Sequence, residues 1–141
     1  MNHCKKVLLL IAMSLLFACG QETVQNAAIE MEAADADYPR GPNGARLLSD
    51  GDFAVELAIF ETGVPPEFRA WAYASDEPVS PQGVDLTVTL TRLDGLNVIG
   101  FNAEGEYLRG DTVVYEPHSF SVAIDAVYQG RRHHWEYDSL E

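Results

Sequence analysis

Lysine is almost absent from this chain. Lys5 and Lys6 are the only two, and the other seven basic residues are all arginine, set against 22 acids. Over its 141 residues the chain carries a formal charge of -13. A protein that grips nucleic acid by its backbone needs a basic face to release counterions, so that class is excluded. Cysteine is nearly as scarce: Cys4 and Cys19 are the only two, both near the N-terminus. The rest of the chain has no thiol for a disulfide or for nucleophilic catalysis. Beyond the first 18 residues Met31 is the only methionine, which excludes a soft Cu(I) or Ag(I) site built from several thioethers. There is no P-loop, no Gly-x-Ser-x-Gly and no His-Glu-x-x-His. No catalytic residue is assigned, and the chain is read as non-enzymatic. Its length supports one domain with a tail.

The longest apolar run, Val7–Phe17, is interrupted only by Ser14 and follows the two lysines. A stable membrane span needs about 20 residues. A short apolar run behind a basic start has the pattern of an export signal. Leu16-Phe17-Ala18-Cys19 then resembles the lipobox of bacterial lipoproteins, in which the cysteine sulfur receives lipid and the cysteine becomes residue one of the mature chain. Residues 1–18 are therefore expected to be a lipoprotein signal peptide and Cys19 the lipidation site. Without the signal, seven arginines face 22 acids, a formal charge of -15. Residues 19–45 hold scattered acids and alanines and end in the turn-forming string Pro39-Arg40-Gly41-Pro42-Asn43-Gly44. This is the composition of a flexible acidic linker. About 25 disordered residues reach about 25–30 Å, enough to hold a domain clear of a membrane.

From residue 46 the period becomes two. Phe53, Val55, Leu57 and Ile59 alternate with Ala54, Glu56, Ala58 and Phe60. Val84, Leu86, Val88 and Leu90 alternate with Asp85 and threonines, and Phe120, Val122, Ile124 and Ala126 with Ser121, Ala123 and Asp125. Turn signals separate them: Gly63-Val64-Pro65-Pro66, Ser75-Asp76-Glu77-Pro78, Asp94-Gly95, Glu104-Gly105 and Gln129-Gly130. Residues 46–141 are predicted to be all-β, a small antiparallel β-sandwich of immunoglobulin-like type. The acids fall in turns and on outer strand faces, where solvation accounts for them. Around residue 71, Arg69, Trp71 and Tyr73 share one face and Phe68, Ala70 and Ala72 the other. Either face can be the core, and the aromatic one is expected inside because large rings fill sandwich interiors.

Beyond the signal, histidine is the metal-ligand type to weigh: His118, His133 and His134. Successive strand residues point to opposite faces. With a two-residue hairpin loop at Gln129-Gly130 or Gly130-Arg131, His133 joins Trp135 and Tyr137 on the apolar face, near its end. His134 lies on the other, with Arg132, Glu136 and Asp138, near Asp125 or Val127. His118 precedes its strand, after Pro117, and the three are not expected to converge. The candidate metal ligands are therefore His134, Asp125 and Glu136. They predict at most weak binding of Zn(II) or a related divalent ion, sensitive to His134→Ala and indifferent to His133→Ala.

Four segments carry a resemblance. They are the run from Arg46 to Arg69 (RLLSDGDFAVELAIFETGVPPEFR), Val88–Leu93 (VTLTRL), Gly105–Gly110 (GEYLRG) and Glu116–Phe120 (EPHSF). Together they resemble the N-terminal domain of periplasmic adaptor subunits, the membrane fusion proteins of HlyD type, from RND-type heavy-metal efflux pumps. The resemblance covers residues 46–139 or so. It implies a periplasmic location, with contacts to an inner-membrane pump and to other adaptor subunits, and indirectly to an outer-membrane channel. A lipid anchor at Cys19 agrees with such a place. Adaptors of this kind continue into a lipoyl-like domain, a helical hairpin and a further barrel. The chain is thus expected to be a truncated or split adaptor, or a free-standing relative of its accessory domain. The second reading is a periplasmic metal-binding lipoprotein that acts without a pump. No family metal ligand carries over, because no defined ligand motif is matched.

Overall fold

A computed structural model describes residues 38–139. The expected export signal, Cys19 and the expected linker up to Asp37 lie outside the described residues. Beyond residue 45 the chain is almost entirely strand: β1 (Arg46–Asp50), β2 (Phe53–Phe60), β3 (Glu67–Ala74), β4 (Glu77–Pro78), β5 (Val84–Arg92), β6 (Gly95–Glu104), β7 (Tyr107–Val113), β8 (Phe120–Tyr128) and β9 (Arg131–Ser139). One turn of 3-10 helix, Pro81–Gly83, leads into β5. Among the described residues no helix is long and apolar enough to cross a membrane.

All pairings between strands are antiparallel, and the strands follow one path, β1-β2-β3-β7-β6-β5-β8-β9, with β4 beside β3. β6 belongs to two layers. Its first part, through Gly100, pairs with β5, and its second part, Phe101–Glu104, pairs with β7. A strand that changes partner in this way turns a corner between two packed sheets. The two end strands of the path approach each other through side chains. Trp135 Nε1 donates to Ser49 O at 3.1 Å, and the Arg46 guanidinium lies 4.0 Å from the centre of the Tyr137 ring. The result is an antiparallel sandwich close to a closed barrel, as the period-two pattern predicts.

The inward faces match that pattern. Phe53, Val55 and Leu57 from β2, Val84, Leu86, Val88 and Leu90 from β5, and Phe120, Val122, Ile124 and Ala126 from β8 are all buried in one core. Turn chemistry fixes the register. Tyr128 pairs with Arg131, so the β8–β9 loop is Gln129-Gly130, both at positive φ. That is the geometry whose twist matches a tight hairpin, and glycine accepts it without a Cβ penalty.

Two expectations fail. In β3 the core face is Phe68, Ala70 and Ala72, all buried, while Trp71 and Arg69 lie half-buried on the outside. The small alanines let the two layers approach. The outer rings form a second, thinner cover: the Arg69 guanidinium sits 3.5 Å from the Phe60 ring centre, and Trp71 lies 6.0 Å from Tyr107. The second failure is Glu56, which stands on an outer strand face yet is 0% exposed. Residues 41–45 fold over it. Its Oε1 accepts the backbone N–H of Asn43 and of Ala45, both at 2.9 Å. Its Oε2 accepts Asn43 Nδ2 at 2.9 Å and the Tyr73 hydroxyl at 2.8 Å. Burial, then the hydrogen bond to the carboxylate, raises the Tyr73 pKa far above its ordinary value. At Gly41 the chain passes so close that a Cβ would overlap the Glu56 side chain.

Candidate functional site

β9 carries the two adjacent histidines, and strand parity separates them as expected. His133 faces inward and is buried. Its ring lies tilted against Phe53 at 4.5 Å and stacks on Trp135 at 5.9 Å, and its Nδ1–H donates to Asp50 Oδ2 at 2.7 Å. The ring thus ties β9 to the β1–β2 turn, a structural task.

His134 faces outward, across the hairpin from Asp125. Its Nδ1 lies 2.8 Å from Asp125 Oδ1 and its Nε2 lies 3.1 Å from Glu136 Oε1. The three residues singled out in the sequence are therefore brought together, with one carboxylate at each ring nitrogen. Two acceptors on opposite sides of one imidazole suit its doubly protonated form. The hydrogen bond to Asp125, and next the one to Glu136, hold the His134 pKa above its ordinary value. Zn(II) at either nitrogen has to displace a proton and a carboxylate contact.

This raised pKa gives the pH effect a definite sign. A pKa raised by folding contributes stability that is complete below the unfolded value of about 6.5 and fades as the pH rises through the folded value. Both partners are exposed, so the contribution is small. An NMR titration of His134 is expected to show a midpoint above that of a free imidazole. It should move back toward the ordinary value in Asp125→Asn, and by less in Glu136→Gln.

His118 occupies a different environment. Val114 N donates to Pro66 O at 2.8 Å, which docks the segment after β7 against the β2–β3 connection. Arg92 fixes the same segment from β5, donating through Nη1 to Pro117 O at 2.6 Å and through Nη2 to Tyr115 O at 2.9 Å. The His118 ring is thereby buried, with Nε2 3.1 Å from Val114 O. A carbonyl only accepts, so Nε2 carries the hydrogen. Nδ1 lies 3.8 Å from Glu61 Oε1. Glu61, Glu116 and His118 each present one ligand atom, all within 4.8 Å of one another, the one such trio of acidic, histidine or cysteine residues among the described residues. The sequence reading missed it because Glu61 lies just past the end of β2, far along the chain from the other two. The local signal was Glu116-Pro117-His118, an acid and an imidazole two residues apart across a proline.

Residues 45–135 match the family described as CzcB, N-terminal domain. Two curated relatives are each 32% identical over 95 residues: the cobalt-zinc-cadmium resistance protein CzcB of Cupriavidus metallidurans and the cation efflux system protein CzcB of an Alcaligenes species. The aligned stretch is 67% of this chain and 18% of each relative, so the chain spans less than a fifth of their length. No solved structure matches. With the match covering nearly every strand of the sandwich, the chain belongs to the CzcB N-terminal domain family.

Proposed function

We propose that this domain is a non-catalytic periplasmic module of an RND-type heavy-metal efflux adaptor, tethered to the cell envelope through Cys19. It contacts pump or adaptor subunits and meets the metal being exported. The observation that carries this reading is the family match from residue 45 to residue 135, with relatives named for cobalt-zinc-cadmium resistance and cation efflux. The long acidic tether and the export signal fit a domain held at a membrane surface. Cross-linking in the native host followed by isolation of this chain is expected to recover an inner-membrane pump or an adaptor subunit. Recovery of neither, from cells grown with metal, overturns the adaptor reading. If metal binding then persists, the chain is a free-standing metal-binding lipoprotein.

Anchoring is tested separately. Cys19→Ser is expected to abolish lipid incorporation and to move the protein from the membrane fraction to the soluble one. A wild-type chain that carries no lipid, with membrane association unchanged in Cys19→Ser, sinks the lipoprotein reading.

A further inference from the structure

We propose that the open edge of β6 at Leu96 and Val98 is a docking site for an extended segment of a partner protein, one with an uncharged, β-branched centre and basic ends. This rests on the reading above that the domain contacts other proteins, and it names the surface and the chemistry of the contact.

Arg92 pairs with Gly95 across the two-residue turn Leu93-Asp94, and the β5–β6 register then runs without a shift to Thr87 and Gly100. In an antiparallel ladder, successive residues turn their N–H and C=O to opposite sides. The Gly100 N–H is turned away from β5, because it donates to Asp111 Oδ1 at 3.2 Å. Counting back by twos, the backbone groups of Val98 and Leu96 leave β6 on that same side. From Phe101 onward β7 covers this side. That ladder ends at Gly110, and the rest of β7 stays with β3, where Val113 lies opposite Glu67. Among the described residues, no strand pairs with Val98 and Leu96 there. Strand edges that face water are ordinarily defended by lysine, proline or a bulge. Residues 95–98 carry none of these, and Leu96 and Val98 are 68% and 66% exposed.

The edge opens into a groove whose opposite wall is the segment after β7. Arg92 already occupies the carbonyls of Tyr115 and Pro117 on that wall, so the strand edge on offer is that of β6. The buried Leu90 and Val114 form the floor. A strand added to β6 turns one set of side chains to this floor and the other to the flank of Leu96 and Val98, next to Thr89 and Thr91. Both surfaces are uncharged, which suits valine, isoleucine and threonine. Charge selects the occupant. Asp94 stands at the turn end of the open edge, Asp111 at its other end and Glu116 on the facing wall, all exposed. Arg92 is the one basic residue lining the groove, and both its terminal nitrogens are engaged. A segment with lysine or arginine at its ends complements that rim. A second copy of this chain, at a formal charge of -13, brings more acid to it.

The test adds the capped peptide Lys-Val-Thr-Val-Thr-Val-Lys to the full, untagged, isotope-labelled chain in neutral detergent, followed by NMR. At saturation the Leu96 and Val98 amide protons are expected to shift downfield and to exchange with solvent at least about tenfold more slowly. Those of Asn97 and Ile99, which face β5, should change less. Replacing both lysines of the peptide by glutamate should weaken binding by at least about tenfold at low salt, a difference that closes at high salt. Val98→Pro removes one outward N–H without breaking a bond to β5, so it should leave the fold standing and weaken binding by at least about tenfold. If that variant fails to fold, the peptide N-methylated at every valine and threonine carries the same test, and it should not bind. Undiminished binding of Val98→Pro or of the N-methylated peptide overturns the docking site. So do shifts confined to another surface, and so does no binding at all. A dimer of the full chain, seen by sedimentation, that protects the same two amides gives the edge to a second copy and overturns the partner assignment. Cross-linking to a pump or adaptor subunit without peptide binding leaves the proposed function standing and removes this surface.

Discussion

A Glu56→Ala chain is expected to lose about 2–4 kcal/mol of folding stability, because removing the acceptor leaves several hydrogen-bond donors unsatisfied at once. The carboxylate accepts four hydrogen bonds, two of them from backbone N–H groups of the Asn43 turn. Alanine leaves those donors and the Tyr73 hydroxyl without their acceptor, and each orphan costs about 1–3 kcal/mol if it stays buried. Glu56→Gln should cost less. It keeps the volume and one oxygen, which can still serve the two backbone donors, while its amide faces the Tyr73 oxygen. Gly41→Ala should behave like a partial Glu56 deletion, because the added methyl drives the carboxylate out of place. Urea unfolding of the three variants checks the order. An alanine variant as stable as wild type, with the turn unchanged, would show that the clamp contributes nothing.

Val88→Asp is expected to abolish folding, an effect larger than the loss of the Glu56 clamp. Val88 is 0% exposed, at the centre of β5 between Ile99 and Ile124. An unpaired carboxylate there has no donor within reach, and burying it costs several kcal/mol beyond the lost apolar contact. Its neighbour Thr87 faces outward, so Thr87→Asp should leave the fold standing. It will not be neutral, because Thr87 pairs across the sheet with Asp125 and the change sets two acids opposite each other. Circular dichroism of the two variants at neutral pH separates them. Equal tolerance of both would refute the register of β5.

Much of the sandwich is legible in the sequence because one face of most strands meets the core and the other meets water. That asymmetry writes itself as alternation in β2, β5 and β8. It also separates His133 from His134 and sets His134 beside Asp125. β3 defeats the same logic because both of its faces are covered. Phe68, Ala70 and Ala72 meet the opposite layer, while Trp71, Tyr73 and Arg69 meet Tyr107, Glu56 and Phe60. Ring size then says nothing about direction. Glu56 is hidden by residues 41–45, which composition assigns to a linker. The Glu61–Glu116–His118 group is invisible for another reason. It is assembled by the docking of Val114 on Pro66 and by Arg92, not by any spacing along one strand.

By belonging to both layers, β6 also sets the time course of folding. The β1–β3 and β5–β7 meanders and the β8–β9 hairpin join neighbours in the chain, and isolated hairpins form in about 1–10 μs. The β3–β7 and β5–β8 ladders join segments that are far apart, and their loops must close before any ladder bond rewards the closure. With β6 completing one layer through β5 and the other through β7, neither layer has a finished edge until the strand is shared. The two layers are then committed together, as a single kinetic event on the millisecond-to-second scale of such non-local β topologies. A newly made chain therefore presents unpaired strand edges for longer than its individual hairpins need to form.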